Sequence, residues 1–261
     1  DVLAKIAENA KNGKSQIYRV MVLADADIGG AFTMPPANTY KGLLIGSDNA
    51  AAIRFTGNIK TTGITGFSNI RLESQKKGKN GYEPADFTIT SNYDMSVRSL
   101  YSDTLKAING SAKSTMILSG ENGELPDASV GYAVNNFGKV TIDGYVVLNN
   151  TVKTTTLDLN YSTLFTGKNS VTVVDIVARP NSLIVYTTPE FTPVTVTGDI
   201  KDGLTPLVLG LADISEGISY QTFEPNTTIL TAKKADISNI KLIDKSAPAS
   251  SGNAEYTFAR V

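Results

Sequence analysis

Between Val140 and Leu211 the chain alternates short runs of apolar, largely β-branched residues with polar turns. Within each run the apolar positions recur with a period of two, and no run is long enough or has the helical periodicity needed to indicate a helix. The pattern predicts seven strands: Val140–Ile142, Tyr145–Leu148, Leu157–Leu159, Val171–Val174, Leu183–Val185, Val194–Val196 and Leu207–Leu209.

These runs recur at a spacing of about two dozen residues, which indicates a repeat. One series leads from Tyr145 to Val171 and on to Val194. An interleaved series with nearly the same spacing leads from Leu157 to Leu183 and then to Leu207. Two series with one period predict a coil whose turns stack on each other, an all-β, single-stranded parallel β-helix. Val171 and Val194 should then be stacked neighbours.

The first residues, Asp1–Asn12, carry the helical pattern of the chain, with apolar side chains on one face: Val2, Leu3, Ile6 and Ala10. Asp1 is a suitable N-cap, and Gly13 is suited to end the helix. Because terminal repeats of a solenoid need a polar cap, we expect the helix to cover the first turn. Docking of a neighbouring module is the alternative. We predict one domain over 1–261, with a cap at 1–13, turns over 14–243 and a closing strand in 244–261.

Two polar insertions interrupt the rhythm. Gln75–Pro84 is a basic, glycine-containing loop, and Glu121–Asp127 is an acidic one. Loops on a rigid scaffold often carry function, so we predict a recognition rim on the basic loop, at Lys76, Lys77, Lys79 and Tyr82. Tyr93–Ile108 fits either a helix or two short strands.

Composition narrows the chemistry. The formal charge is -1, and the chain has no Cys, His or Trp. These absences exclude thiolate and imidazole metal sites and histidine-dependent catalysis, and the near-neutral charge argues against nucleic acid as a partner. No window is long and apolar enough for a membrane span. Asp25 and Asp27 offer too few oxygens for Ca²⁺, which takes six to eight, so we expect no cofactor.

Phe137, Tyr161 and Tyr186 recur at nearly equal spacings that match the period of the strands. On a coil of that period they would lie above one another on successive turns. If the rings point inward they form a core stack, as aromatic side chains usually do. If they point outward they form a platform on which a sugar ring could stack.

The segment IRFTGNIKTTGITGFSNIRL (Ile53–Leu72), preceded by GLLI at Gly42–Ile45 and by the leading helix, resembles the first turns of right-handed parallel β-helix modules of large bacterial cell-surface and secreted proteins. The likeness is strongest over Asp1–Leu72, and its motifs are turn and core residues. It implies an extracellular, often non-catalytic module joined to other modules of a larger protein. Low charge and a Cys-free composition are in keeping with an exported protein.

Catalysis is the alternative function. A glycoside hydrolase needs two carboxyl groups about 5–10 Å apart, yet the spacings between Asp143, Asp158 and Asp175 are clearly shorter than the predicted period. A polysaccharide lyase needs a Lys or Arg base with acidic neighbours, for which the sequence offers three cations but no cluster: Lys139, Lys168 and Arg179. We therefore expect a monomeric, non-catalytic adhesion module or spacer that binds a polysaccharide or surface glycoprotein.

Overall fold

The fold is nearly all β. A computed structural model describes residues 2–11, 16–120, 125, 129–200, 206–235 and 240–243. Among these residues, 59% are in strands and a single short helix lies near the N-terminus; the strands form a parallel β-solenoid of about eight turns. The predicted fold class is therefore confirmed.

The helix α1 spans Val2–Lys11. The early strands are β1 (Ile17–Met21), β2 (Ala26–Ala31), β3 (Gly42–Gly46), β4 (Ala52–Thr56), β5 (Ile59–Lys60), β6 (Thr65–Gly78), β7 (Gly81–Pro84), β8 (Phe87–Thr90), β9 (Met95–Tyr101), β10 (Leu105–Asn109) and β11 (Thr115–Ser119). The later strands are β12 (Ala133–Leu148), β13 (Val152–Thr166), β14 (Val171–Val173), β15 (Asp175–Ala178), β16 (Leu183–Tyr186), β17 (Val194–Ile200), β18 (Leu207–Asp213), β19 (Ser219–Gln221), β20 (Leu230–Ala235) and β21 (Ile240–Leu242).

The chain divides into two compact units. The first comprises Asp1–Leu118 and Val130–Gly138, and the second Ser119–Ser129 and Lys139–Val261. The expectation of a single domain over the whole chain stays a prediction.

In the first unit, parallel strands stack turn on turn. β1 pairs with β3, β3 with β6, and β6 with β9. Alternate side chains of these strands point inward, because successive residues of a strand face opposite sides. Aromatic rings fill part of the interior: Phe55 meets Phe32 and Phe87 edge-on, with ring centroids 5.6 and 5.0 Å apart.

In the second unit one long strand, β13, pairs with three shorter strands. β13 pairs in parallel with β14, β15 and β16 in turn, so it runs along three successive faces of one turn. β14 continues the stack onto β17, where Val173 lies opposite Val196. That register has the same offset as the one predicted for Val171 and Val194, and the stacking of these two segments is confirmed.

Of the other predicted pairings, the segments at Leu183 and Leu207 also stack, one residue out of register, with Leu183 opposite Val208. The remaining two pairings were wrong. Val171 lies opposite Val152 and not Tyr145, and Leu157 lies opposite Ile176 and not Leu183. The physical reason is that β13 passes through its corners without a long loop, which makes the turn from Leu157 to Ile176 shorter than the predicted period. The number of residues in each turn of the solenoid therefore depends on how many loop residues its corners contain.

Several local predictions also changed. The stretch Ala24–Pro36, for which no strand was predicted, contains β2. Of the two alternatives for Tyr93–Ile108, the structure has the two strands, β9 and β10. The basic insertion is a hairpin of β6 and β7. The helix is confirmed, but its buried apolar contact is narrower than expected, because Ile6 is buried while Val2 is exposed. The acidic insertion, apart from Leu125, and the closing strand at 244–261 lie outside the described residues.

Candidate functional site

Two basic side chains flank a carboxylate in the second unit. Lys139 Nζ lies 3.8 Å from Asp158 Oδ2, and Arg179 Nε lies 4.0 Å from Asp158 Oδ1. Lys139 is on β12, Asp158 is on β13, and Arg179 directly follows β15. We call these three residues the Asp158 cluster. The structure thus brings together residues that sequence reasoning considered one by one.

The alternation of β13 places this carboxylate on the outer side of the sheet. Leu157 and Leu159, on either side of Asp158, are fully buried in the core, so Asp158 points the opposite way. Its register partner on β15 is Val177. Arg179 is anchored two positions after Val177, where its backbone N–H donates a 3.0 Å hydrogen bond to the carbonyl of Leu159.

The carboxylate of Asp158 is covered although it lies on the outer side. Its side chain is 10% exposed, against 45% for Lys139 and 49% for Arg179. The Oδ1 atom is buried and has no hydrogen-bond partner within the described structure. Both ion-pair distances exceed hydrogen-bond range. A buried acceptor without a donor is uncommon and calls for an explanation.

A second ion cluster, in the first unit, has one cation between two carboxylates, and its groups are within hydrogen-bond distance. Arg54 donates from Nη2 to Asp25 Oδ2 at 3.1 Å and from Nε to Glu73 Oε2 at 3.0 Å. The N–H of Ala52 donates to Asp25 Oδ1 at 2.9 Å. The Ala52 hydrogen bond and the Arg54 guanidinium lower the pKa of Asp25. We call Asp25, Arg54 and Glu73 the Arg54 triad.

Apolar surface adjoins the Asp158 cluster. Val177 on β15, opposite Asp158, is 46% exposed. Tyr161, three residues after Asp158 on β13, is 59% exposed. Tyr161 also has a positive φ of 52°, a backbone conformation that bulky residues rarely adopt. Strained residues of this kind concentrate at functional sites, so we include Tyr161 among the candidate residues.

The basic insertion forms an exposed hairpin in the first unit. Lys76 lies opposite Glu83, Lys77 opposite Tyr82, and Gly78 opposite Gly81. The three lysines are exposed, and Tyr82 is 52% exposed. No ion pair or side-chain hydrogen bond joins these lysines to another described residue. We call Gln75–Pro84 the basic hairpin; it contains all four predicted rim residues, and Lys77 and Tyr82 lie opposite each other.

The three predicted platform residues do not share one environment. Phe137 is buried against Gly110 in the first unit, and Tyr186 is buried in the second. The register partner of Tyr186 on β13 is Thr166 and not Tyr161. The expected column is therefore wrong, because the turn through β13 is shorter than the assumed period. Of the three rings, Tyr161 alone reaches the surface.

The other charged candidates are dispersed. Asp143 is exposed, Asp175 lies opposite Thr156, and Lys168 forms an ion pair with Glu190. The signal that could have found the Asp158 cluster is the equal spacing from Lys139 to Asp158 and from Asp158 to Val177. Sequence reasoning missed it because it assumed a longer period.

Within the described residues, no group of three or more acidic side chains is arranged to hold a metal ion, and no helix is long and apolar enough to cross a membrane. Asp25 and Asp27, the pair considered for Ca²⁺, have structural partners, since Asp27 Oδ1 accepts a 2.8 Å hydrogen bond from the N–H of Gly29. No protein-family model, curated protein or solved structure matches this chain.

Proposed function

We propose that this chain is a non-catalytic, extracellular β-solenoid module of a bacterial surface or secreted protein, and that it binds a polysaccharide or surface glycoprotein. The observation that carries the proposal is the basic hairpin, where the exposed Tyr82 lies opposite Lys77. The hairpin carries two further exposed lysines, and none of the three has an ion-pair partner among the described residues. The resemblance of Ile53–Leu72 to bacterial surface modules supports the assignment to the cell exterior. The same module without glycan binding would act as a spacer within a larger assembly.

The chemistry of the hairpin suits a glycan. A tyrosine ring offers an apolar face with a polar tip, and Tyr82 lies directly opposite Lys77 in the register. Lysine ammonium groups offer three donors each to carboxylate, sulfate or hydroxyl oxygens. Antiparallel pairing of β6 with β7 holds these groups on a regular scaffold, which reduces the entropy lost on binding.

Affinity electrophoresis through gels that contain polysaccharides tests the proposal. We expect an acidic polysaccharide to retard the protein, and the combined substitutions Lys76→Ala, Lys77→Ala, Lys79→Ala and Tyr82→Ala to reduce the retardation. The matched control removes three exposed lysines elsewhere in the same unit: Lys41→Ala, Lys60→Ala and Lys113→Ala. This control loses the same number of charges and should be retarded like the parent protein.

Two results would contradict the proposal. The first is equal loss of retardation in the hairpin variant and the control variant, which would show an unspecific charge effect. The second is turnover of a polysaccharide without any retention. Retention of neither parent nor variant by any glycan would leave the spacer role and remove the binding role.

The Asp158 cluster favours one second candidate, a polysaccharide lyase acting on a uronate polymer. In such a reaction Lys139 or Arg179 removes the proton next to the carboxylate of the sugar. The electron pair then forms a carbon–carbon double bond, and the glycosidic oxygen leaves and takes up a proton. Ultraviolet absorbance of the unsaturated product tests this candidate. We rank it second because the described residues include no metal site, so the one cation that does not act as the base would have to neutralise the sugar carboxylate alone.

A further inference from the structure

We propose that the Asp158 cluster binds a hydroxyl-bearing monoanion, the chemistry shared by a uronic acid residue and a singly sulfated sugar. This inference rests on the proposed function, because it names the class of sugar that the module takes. It concerns the second unit and does not use the basic hairpin. Three observations support it: free donors, a buried free acceptor and the charge balance.

The donors are exposed and unused. Lys139 and Arg179 keep about half of their side-chain surface in solvent, and within the described residues neither side chain makes a hydrogen bond. An ammonium has three donors and a guanidinium five, arranged as a planar fork that matches a carboxylate or sulfate. An anionic group placed between the two side chains would receive charge-assisted hydrogen bonds from both.

The acceptor is buried and unused. Asp158 Oδ1 has no donor among the described residues and lies 4.0 Å from Arg179 Nε. In the proposed complex the guanidinium turns towards the anion and leaves the side of Oδ1 that faces it open. A sugar hydroxyl next to the anionic group can then donate to it, so one ligand satisfies the cations and the carboxylate together. A simple anion without hydroxyl groups satisfies only the cations.

The charge balance sets the charge of the ligand. Two cations and one carboxylate leave a single positive charge, which one negative charge neutralises. The Arg54 triad has the inverse composition, one cation with two carboxylates, and the hydrogen bonds from Arg54 are 3.0 and 3.1 Å long. Charged groups on neighbouring strands of this protein can therefore reach hydrogen-bond distance, which the groups at Asp158 do not.

Isothermal titration calorimetry with the full chain tests the inference. The probes are galacturonate, its methyl ester, galactose 6-sulfate and inorganic sulfate. We expect the sugar acid or the sulfated sugar to bind, and the neutral ester to bind at least tenfold more weakly. Lys139→Met and Arg179→Met should each weaken the binding about tenfold, the usual worth of one hydrogen bond to a charged group. The control Lys168→Met breaks an ion pair in the same unit and should leave the affinity unchanged.

Asp158→Asn separates this inference from a purely structural role of the carboxylate. The substitution preserves size and removes one negative charge, so inorganic sulfate should bind more tightly to the variant. The hydroxyl-bearing anion should bind more weakly relative to sulfate, because the amide is a poorer acceptor than a carboxylate. A structural role predicts that both ligands gain affinity alike. Circular dichroism of each variant verifies folding, and the two exposed substitutions give a result even if Asp158→Asn does not fold.

The two sugars distinguish the sources of the anion. Preference for galacturonate indicates a uronate, and preference for galactose 6-sulfate indicates a sulfated glycan. Equal affinity for acid and methyl ester, or binding of inorganic sulfate alone, overturns the inference. Either result leaves the proposed function standing if the basic hairpin still governs retardation in gels. If the hairpin substitutions do not change the retardation while the Asp158 cluster still binds its anion, only the assignment of the hairpin as a glycan site is overturned.

Discussion

The hydroxyl of Tyr186 accepts a 3.1 Å hydrogen bond from the backbone N–H of Val194 in the interior of the second unit. The same hydroxyl donates to the carbonyl of Ile229. Tyr186 also stacks on Phe191, with ring centroids 3.9 Å apart. One buried side chain therefore satisfies two backbone groups from different turns, at a place where water has no access.

Tyr186→Phe should destabilise the protein by about 2 kcal/mol, because it retains the ring but leaves a buried N–H and a buried carbonyl without this partner. Urea denaturation followed by circular dichroism measures the change. Tyr161→Phe, at an exposed ring on β13, is the matched control and should change the stability by less than about 0.5 kcal/mol. Equal effects at the two positions would mean that the Tyr186 hydroxyl contributes nothing specific.

The stability should fall at alkaline pH because of the buried tyrosines. Burial raises the pKa of Tyr132 and of Tyr186 well above the ordinary value near ~10. Above pH ~10 the unfolded chain loses these phenolic protons while the folded chain keeps them, so the unfolded state is favoured. The stabilisation is complete below pH ~10 and is lost as the pH rises towards the folded pKa.

The measurement is the free energy of unfolding at several pH values. Each buried tyrosine should add a slope of about 1.4 kcal/mol per pH unit above pH ~10. Tyr186→Phe should flatten the slope relative to the parent protein, whatever the other ionisable groups contribute. An unchanged slope in both Tyr132→Phe and Tyr186→Phe would contradict the burial of the two hydroxyls.

Gly138→Ala should destabilise the first unit by about 3 kcal/mol, at the upper end of typical overpacking effects. A Cβ at Gly138 would lie 2.2 Å from the carbonyl oxygen of Ala112, and backbone cannot yield as a flexible side chain does. Gly131→Ala is the control, since nothing lies within 4 Å of its Cβ position. Thermal denaturation of both variants should show a lower Tm for Gly138→Ala and an unchanged or slightly higher Tm for the control.

Leu159→Ala should cost about 3 kcal/mol, because it leaves a cavity beneath the strand that carries Asp158. Leu159 is fully buried, whereas Val177 on the adjacent β15 is 46% exposed. Val177→Ala should therefore change the stability by less than about 1 kcal/mol. Denaturant midpoints compare the two. A larger effect at Val177 would show that the outward and inward sides of β13 and β15 have been exchanged.

The sequence alone located the seven strand segments predicted between Val140 and Leu211 and the class of fold. Period-two alternation of β-branched residues, as at Val194–Val196, requires an inward and an outward face in any sheet, and recurrence of such runs requires stacked turns. The exposure of Lys76, Lys77 and Tyr82 was also predictable, because an insertion rich in charge and glycine has no apolar face to bury. These properties depend on neighbouring residues only.

Tertiary structure decided which residues meet. Lys139, Asp158 and Arg179 were each visible as charged positions, but their meeting depends on a short turn, from Leu157 to Ile176, whereas the turn from Val173 to Val196 is longer. The length of a turn follows from how the chain passes each corner, and β13 passes two of them almost without a break. The length of each turn therefore depends on backbone geometry and long-range strand pairing, and it cannot be read from the periodicity of the side chains.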